Sequence, residues 1–277
     1  MDSRHILPSV LLAGLLLLPS ACSKEGGPTK EVKLYLWHNP STKTSAVTQL
    51  SNVFWGTTTG GNNEGSIPET LEWAASSASV TGQTVSTGRY LDAGDPGTRN
   101  YYVSNVDFTL GSAAMLNASN SIDIVAGRVF DCSTSTPSVT LHHIFARLGA
   151  LTLNPPAGYT ISGISWWLRG KTQPYGTEGC YNLTDGSWSA CSGLASATPV
   201  SSGSDLYLIP GTYTLLCQYT LSRYGQSQVV SAQAEVTLQE GKIHHITGTA
   251  VSSSLIHLVL SVDIVPWGQS YQTQEDS

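Results

Sequence analysis

Apolar and polar residues alternate along several stretches of this chain. The most regular alternations cover residues 32–37, 213–221, 230–238 and 256–264. Because successive side chains of a β-strand point to opposite faces, a period of two predicts strands with one buried face. The last of these strands is expected to begin at Leu255, and its apolar face is formed by Ile256, Leu258, Leu260, Val262 and Ile264.

The stretch 139–153 also alternates, but the phase of its apolar residues changes twice. These residues occupy odd, then even, then odd positions again: Val139, Leu141, Ile144, Ala146, Leu148, Leu151 and Leu153. A one-residue slip moves side chains to the opposite face of a sheet, so each change predicts a bulge or bend. We place one bend near His142 and His143 and the other at Gly149. The stretch is predicted to open a second β domain.

The pattern is less regular before this stretch. Residues 46–55 fit either a strand or a helix, residues 68–75 fit a short helix, and residues 84–91 and 101–110 fit strands. Small polar residues at 131–137 predict a domain boundary.

Turn-forming residues separate the predicted strands of the second half. Asp185-Gly186 predicts a hairpin turn, Pro210-Gly211 ends a strand, and a change of phase at Gly163 predicts a bulge. The composition, with 27 Gly, 13 Pro and 12% charged residues, favours short strands over helices. A net charge of −6 without a Lys/Arg cluster argues against a nucleic-acid surface. These features predict an all-β sandwich protein.

The N-terminal segment has the pattern of an export signal. Its Leu-rich core at 6–18 is shorter than a membrane-spanning helix and has the length of a signal-peptide core. Small residues precede Cys22 as in a bacterial lipobox, although Pro19 stands where Leu is usual. We predict a signal peptide at 1–21, acylation of Cys22 and a lipidated tether at 22–31. Ordinary signal cleavage beside an incidental cysteine is the alternative.

Two further cysteines flank the predicted hairpin turn. Cys180 and Cys191 lie at similar distances on either side of Asp185-Gly186, so they are candidates to face each other across the hairpin. An exported protein meets oxidising conditions, which favour a disulfide. Two free thiols in the core are the alternative. The chain has no CxxC pair or metal-type cysteine spacing.

Several short motifs follow one another in a defined order. They are Ser-Ile-Asp-Ile-Val-Ala at 121–126, Val-x-Leu-x-His-x-Phe-Ala-Arg-Leu at 139–148, Tyr-Asn-Leu-Thr-Asp-Gly-Ser-Trp at 181–188, Leu-Ile-Pro-Gly at 208–211, Val-x-Leu-x-x-Gly-Lys at 236–242 and Val-Asp-Ile-Val-Pro-Trp at 262–267. In this order they resemble the fimbrillin family, the lipoprotein pilins of type V pili with their anchor and tip relatives. The resemblance covers about residues 121–267, and the short first half departs from it.

The resemblance implies two transthyretin-like β-sandwich domains in tandem, which we place at residues 32–137 and 138–277. It also implies a structural or adhesive subunit of a cell-surface fimbria, without enzymatic activity. Such a subunit is held at the outer membrane by lipid on Cys22 and has other fimbrial subunits as partners.

In this family a protease removes the first strand of the precursor, and the C-terminal strand of the next subunit fills the groove. The resemblance makes residues 32–37 the strand removed and the strand from Leu255 the donor. Cleavage requires an exposed basic residue: Lys43 follows the first strand, and Arg89, the next basic residue, lies in a predicted strand. The alternative is that both strands are permanent sheet members, as in a monomeric adhesin or an anchor subunit.

Aromatic residues suggest a second hypothesis, a surface lipoprotein that binds glycan or a host protein without polymerising. Its candidate platform consists of Trp166, Trp167, Trp188 and Tyr224. Large aromatic residues also pack in sandwich cores, so burial of the three Trp side chains would remove the main support of this hypothesis.

Five of the seven histidines are candidates for a metal site: the pairs His142–His143 and His244–His245, and His257. Neighbours on a strand point to opposite faces, so each pair offers at most one metal ligand to a given face. We therefore interpret them as structural residues. The sequence has no motif of a serine hydrolase, metalloprotease or nucleotide-binding loop. We predict no catalytic, cofactor or metal site.

Overall fold

A computed structural model describes residues 30–38, 45–46, 53–59, 71–81, 84–91, 97–119, 122–171, 178–190, 198–202, 206–250 and 259–266. Every regular element in these ranges is a β-strand, which confirms the all-β fold class. Within the same ranges, no helix has the length and apolar character needed to cross a membrane.

The strands are numbered in chain order. Those before residue 144 are β1 (Lys30–His38), β2 (Ser45–Ala46), β3 (Val53–Thr59), β4 (Leu71–Thr81), β5 (Thr84–Leu91), β6 (Arg99–Ser104), β7 (Thr109–Leu110), β8 (Ala114–Ser119), β9 (Val125–Cys132) and β10 (Ser138–His143). Those after it are β11 (Ala146–Asn154), β12 (Thr160–Gly170), β13 (Glu178–Asn182), β14 (Trp188–Ala190), β15 (Thr198–Val200), β16 (Leu206–Leu208), β17 (Gly211–Arg223), β18 (Gln226–Leu238), β19 (Lys242–Thr249) and β20 (Val259–Pro266). Pairs β1–β10 and β11–β19 are parallel, and the other described pairs are antiparallel.

An eight-stranded sheet contains the first strands of the chain in the order β10-β9-β6-β3-β4-β5-β1-β2. In addition, β10 at one end of this order pairs with β1 near the other end. The side chains enclosed by this sheet are almost completely buried: Val32, Leu34, Leu36, Val53, Trp55, Val85, Tyr101, Val103, Val125, Val139 and Leu141.

Two four-stranded sheets form a sandwich in the second half, with the orders β16-β11-β19-β20 and β15-β12-β17-β18. The alternation that predicted β17 places one face of this strand in the shared core: Tyr213, Leu215, Cys217, Tyr219 and Leu221. The predicted bulge at Gly163 is confirmed. Gly163 has a φ of 62°, and the β12–β17 register shifts between Ser162 and Ser165.

A further four-stranded sheet, β14-β13-β8-β7, combines strands from both halves of the chain. Its core also takes residues from the links between strands: Ile144 and Phe145 between β10 and β11, and Ile209 between β16 and β17. This sheet ties the first half of the chain to the second half.

The stretch 139–153 forms two strands that belong to different sheets. β10 pairs with β1 and β9, whereas β11 pairs with β16 and β19. The change of sheet therefore falls at residues 144–145. The second predicted bulge is confirmed, because the β11–β19 register shifts between Leu148 and Leu151, around Gly149.

Two local predictions need correction. Residues 71–75 lie in β4 and not in a short helix, because Leu71 and Trp73 pair with β3 and tertiary pairing overrides local helix propensity. The hairpin at Asp185-Gly186 has a loop longer than two residues. Its last paired residues are Tyr181 and Trp188, and Asn182 N–H donates to the Ser187 carbonyl oxygen over 2.9 Å.

Candidate strand-exchange site

β1 is hydrogen-bonded along both of its edges. Tyr35 pairs with Thr84 of β5 and with Ser138 of β10, which therefore lie on opposite sides of β1. Just before β10, the carbonyl oxygen of Pro137 accepts a hydrogen bond of 2.9 Å from Tyr35 N–H. The predicted first strand is confirmed. The sequence pattern did not predict that this strand has partner strands on both edges.

One face of β1 is part of the core. Val32, Leu34 and Leu36 are 0% exposed, whereas the alternating residues Lys33 and Tyr35 face solvent. The period-two pattern thus fills a continuous apolar slot between β5 and β10.

Arg89 lies in a bulge of β5 beside β1. Thr87, Gly88 and Arg89 stand opposite the single residue Val32. Gly88 has a φ of 67°, and the Thr87 hydroxyl donates to the Val32 carbonyl oxygen over 2.7 Å. The Arg89 side chain is exposed. The other predicted cleavage residue, Lys43, lies outside the described residues, as does the predicted lipidation site Cys22.

β20 is paired along its whole length with β19, from Thr249↔Val259 to Lys242↔Pro266. Within the described residues it has no second partner strand. Leu260 and Val262 pack against the sandwich core as predicted. The predicted apolar face is not continued by Ile264, which is 40% exposed. Three other residues of the predicted donor strand lie outside the described residues: Leu255, Ile256 and Leu258.

Two histidines of β10 have polar side-chain partners near the junction of the sheets. His142 Nε2 lies 3.0 Å from Glu240 Oε1 and 3.2 Å from the Tyr181 hydroxyl. The buried His143 Nδ1 lies 2.7 Å from Asp123 Oδ1. Burial, reinforced by the Glu240 carboxylate, raises the pKa of Tyr181 well above its ordinary value.

The histidines of β19 accept backbone hydrogen bonds. His244 Nε2 accepts from Gln239 N–H, and His245 Nδ1 accepts from Ala150 N–H, both over 3.1 Å. Burial lowers the pKa of His244, so the neutral acceptor form is favoured. In the described part of the chain, no group of three or more His, Cys, Asp or Glu residues is arranged to hold a metal ion. His257 lies outside it.

The three tryptophans do not form an exposed platform. Trp166 is 6% exposed in the sandwich core. Trp188 is half-buried and packs against Phe145 and Tyr181, with ring centroids 5.3 and 5.0 Å apart. Trp167, half-buried, follows Trp166 on the same strand and points to the other face of the sheet. The glycan hypothesis loses its main support, and of its four residues only Tyr224 is largely exposed.

The predicted Cys180–Cys191 disulfide stays a prediction, because Cys191 lies outside the described residues. The register pairs Cys180 with Ser189. The Cys180 thiol lies 3.3 Å from Asn117 Oδ1 on the neighbouring strand β8. In the sandwich core, burial raises the pKa of the Cys217 thiol to about 12.

No model of a known protein family matches this sequence, and no curated protein matches it. Similar solved structures do exist. A fimbrial protein from Bacteroides vulgatus ATCC 8482 is 14% identical and superposes with a TM-score of 0.52 over 85% of this chain and 99% of its own. A Parabacteroides distasonis ATCC 8503 protein assigned to cell adhesion is 9% identical, with a TM-score of 0.53 over 86% and 100%.

At these identities the likeness concerns the fold, since one fold supports many functions. It extends over most of this chain and essentially all of each neighbour. The arrangement of strands therefore follows a common plan and not a local coincidence. The chain has the β-sandwich fold of bacterial fimbrial and cell-adhesion proteins, the fold that its resemblance to the fimbrillin family implies.

Proposed function

We propose that this chain is a structural subunit of a cell-surface fimbria, exported as a lipoprotein acylated at Cys22 and assembled by β-strand complementation. The observation that carries the proposal is the position of β1, the first strand of the described chain. It is hydrogen-bonded on both edges and buried along one face. The fold shared with a fimbrial protein supports the same assignment.

Removal of β1 would open a groove with two unmet requirements. β5 and β10 would lose backbone hydrogen bonds along the edges that face β1. The space of Val32, Leu34 and Leu36 would expose apolar surface, at a cost of about 1.5–3 kcal/mol for each side chain. An alternating strand from another subunit satisfies both requirements at once.

β20 supports the donor half of the mechanism. It lies at the edge of its sheet, so within the described residues its departure breaks a single ladder, the one with β19. Leu260 and Val262 supply alternating apolar side chains for a groove of this kind. The partners are further copies of this chain or related fimbrial subunits.

The positions of the two candidate cleavage residues favour Lys43. In the sequence it lies between β1 and β2, so a cut there separates β1 from all later strands. A cut after Arg89 would also detach β2, β3, β4 and most of β5. That cut removes Val53 and Trp55 from the core and leaves far more than a one-strand groove.

The proposal is tested with the purified precursor, treated briefly with trypsin and analysed by gel electrophoresis without boiling. We expect cleavage after Lys43 followed by a ladder of stable oligomers. Lys43→Gln should remain uncut at this position and monomeric, whereas the matched variant Arg89→Gln should be cut and assemble like the wild type. A precursor that is cut after Lys43 and stays monomeric, also when mixed with related subunits, would contradict strand complementation. Unchanged assembly of Lys43→Gln would exclude Lys43 as the processing site.

A further inference from the structure

The β17–β18 hairpin ends in an unusual turn. Arg223 pairs with Gln226, which leaves Tyr224 and Gly225 as a two-residue loop with φ angles of 50° and 76°. Such loops favour Asn-Gly or Asp-Gly, because larger side chains at the first position are strained in the left-handed region. The Tyr224 side chain is 87% exposed, so core packing does not explain its presence. An outlier of this kind is a reason to look for function.

The ring of Tyr224 belongs to a small surface cluster. The Arg223 guanidinium carbon lies 4.7 Å from the ring centroid of Tyr224 and 5.0 Å from that of Tyr159. The guanidinium also donates to the hydroxyls of Tyr159 and Tyr224, over 3.4 and 3.3 Å. Stacking and hydrogen bonds thus hold a planar cation between two aromatic rings at the outer end of the hairpin.

The cluster borders a shallow depression of about 460 Å³. Gln226, Ser227 and Gln228 contribute polar groups to it, and no carboxylate is among the lining residues that the structure describes. The chain as a whole has a net charge of −6, so an Arg without an acidic neighbour in the lining is a local exception. A guanidinium has five N–H donors, and the two tyrosine hydroxyls leave some of them available.

We propose that Tyr159, Arg223 and Tyr224 bind an acidic saccharide, a sugar ring that carries a carboxylate. The guanidinium fork matches the geometry of a carboxylate. The exposed aromatic ring of Tyr224 packs against the apolar face of the sugar, and the glutamine and serine side chains bind its hydroxyls. Leu221 is the sole aliphatic residue in the described lining, so the depression lacks an apolar pocket for an aliphatic peptide side chain. This site is independent of the strand exchange proposed above.

The test uses the purified protein and two carboxylated probes, 3′-sialyllactose and digalacturonate, with lactose as the neutral control. Binding is measured by saturation-transfer NMR and by titration up to about 10 mM, a range that covers millimolar sites. We expect at least one acidic probe to bind about tenfold more tightly than lactose. Arg223→Gln and Tyr224→Asn should each weaken this binding about tenfold.

The variants separate binding from folding. Asn suits the left-handed position of Tyr224, so Tyr224→Asn should fold with an unchanged circular dichroism spectrum. The control Tyr90→Ser removes another exposed tyrosine, in β5, and should bind like the wild type. The proposal is overturned if neither acidic probe binds, if lactose binds equally well, or if Arg223→Gln and Tyr224→Asn retain full affinity.

Discussion

Tyr213 and Tyr219 offer a matched test of how this sandwich core uses hydroxyl groups. They lie on the same face of β17 and are 0% and 1% exposed. The Tyr213 hydroxyl donates to the Ile209 carbonyl oxygen over 2.6 Å and so secures the turn between β16 and β17. Among the described residues, the Tyr219 hydroxyl has no hydrogen-bond partner. Burial raises the pKa of Tyr219, as expected for a phenol removed from water.

The two Tyr→Phe substitutions should therefore differ in their effect on the free energy of unfolding. Both keep the ring and its packing, so neither creates a large cavity. Tyr213→Phe removes the donor and leaves the Ile209 carbonyl oxygen without this bond, which should cost about 1–3 kcal/mol. Tyr219→Phe removes a buried hydroxyl that no described group compensates, so its effect should be close to zero or slightly stabilising.

Urea unfolding followed by tryptophan fluorescence measures the difference. We expect a lower transition midpoint for Tyr213→Phe at an unchanged m-value, and a midpoint for Tyr219→Phe at or above that of the wild type. Equal destabilisation by both substitutions would refute the reasoning, because removal of the unpartnered Tyr219 hydroxyl would then cost as much as removal of the hydrogen-bonded Tyr213 hydroxyl.

Three further predictions concern other parts of the fold. Gly127→Ala would place a Cβ 2.2 Å from the Thr140 carbonyl oxygen, so it should destabilise the protein by at least about 2 kcal/mol in thermal unfolding. Gly111→Ala, with open space around it, is the control and should change little. Leu34→Ala should cost about 2–5 kcal/mol and speed trypsin digestion, and an unchanged digestion rate would contradict the role of β1 in closing its sheet. Burial lowers the pKa of His244 from 6.5, so the unfolded chain takes up the proton first. The contribution of His244 to the free energy of unfolding is fully present above about pH 6.5 and declines as the pH falls below this value. His244→Gln should flatten this part of the pH profile of urea midpoints, and an unaltered profile would assign the decline to other groups.

The strands of the second half could be predicted from the sequence because their signal is local. In β17, alternate residues from Tyr213 to Leu221 are apolar, and the same residues are buried. Glycines also indicated where the ladders are interrupted, at Gly149 and Gly163. Such features depend on the period of the side chains and on backbone freedom, both of which are properties of a few neighbouring residues.

Strand partners could not be predicted in the same way. β8 pairs with β13, which follows it by more than fifty residues, and β10 joins the sheet that begins with β1. Residues 71–75 have the composition of a helix and form part of β4 because Leu71 and Trp73 pair with β3. These choices depend on long-range packing, which no short window of sequence contains.

In the candidate sites, too, local features could be predicted from the sequence and long-range contacts could not. Alternation identified the apolar face of β1 but not the neighbours on both edges, which make β1 the strand that fills a slot. For the surface cluster, a Tyr-Gly pair between two alternating strands was a usable signal of a two-residue turn with an exposed ring. The position of Tyr159 beside Arg223 required the fold.

The separation of β1 and β20 bears on the kind of assembly that strand exchange would produce. β1 fills a slot in the eight-stranded sheet, whereas β20 lies at the edge of a sandwich sheet in the second half. A groove and a donor on different parts of one subunit make a heterologous contact, in which each subunit gives at one surface and receives at another. Such contacts propagate into fibres unless the rotation between subunits closes a ring. The sheet β14-β13-β8-β7 then gains a mechanical role, since it contains strands of both halves and links the receiving part of a subunit to its donating part.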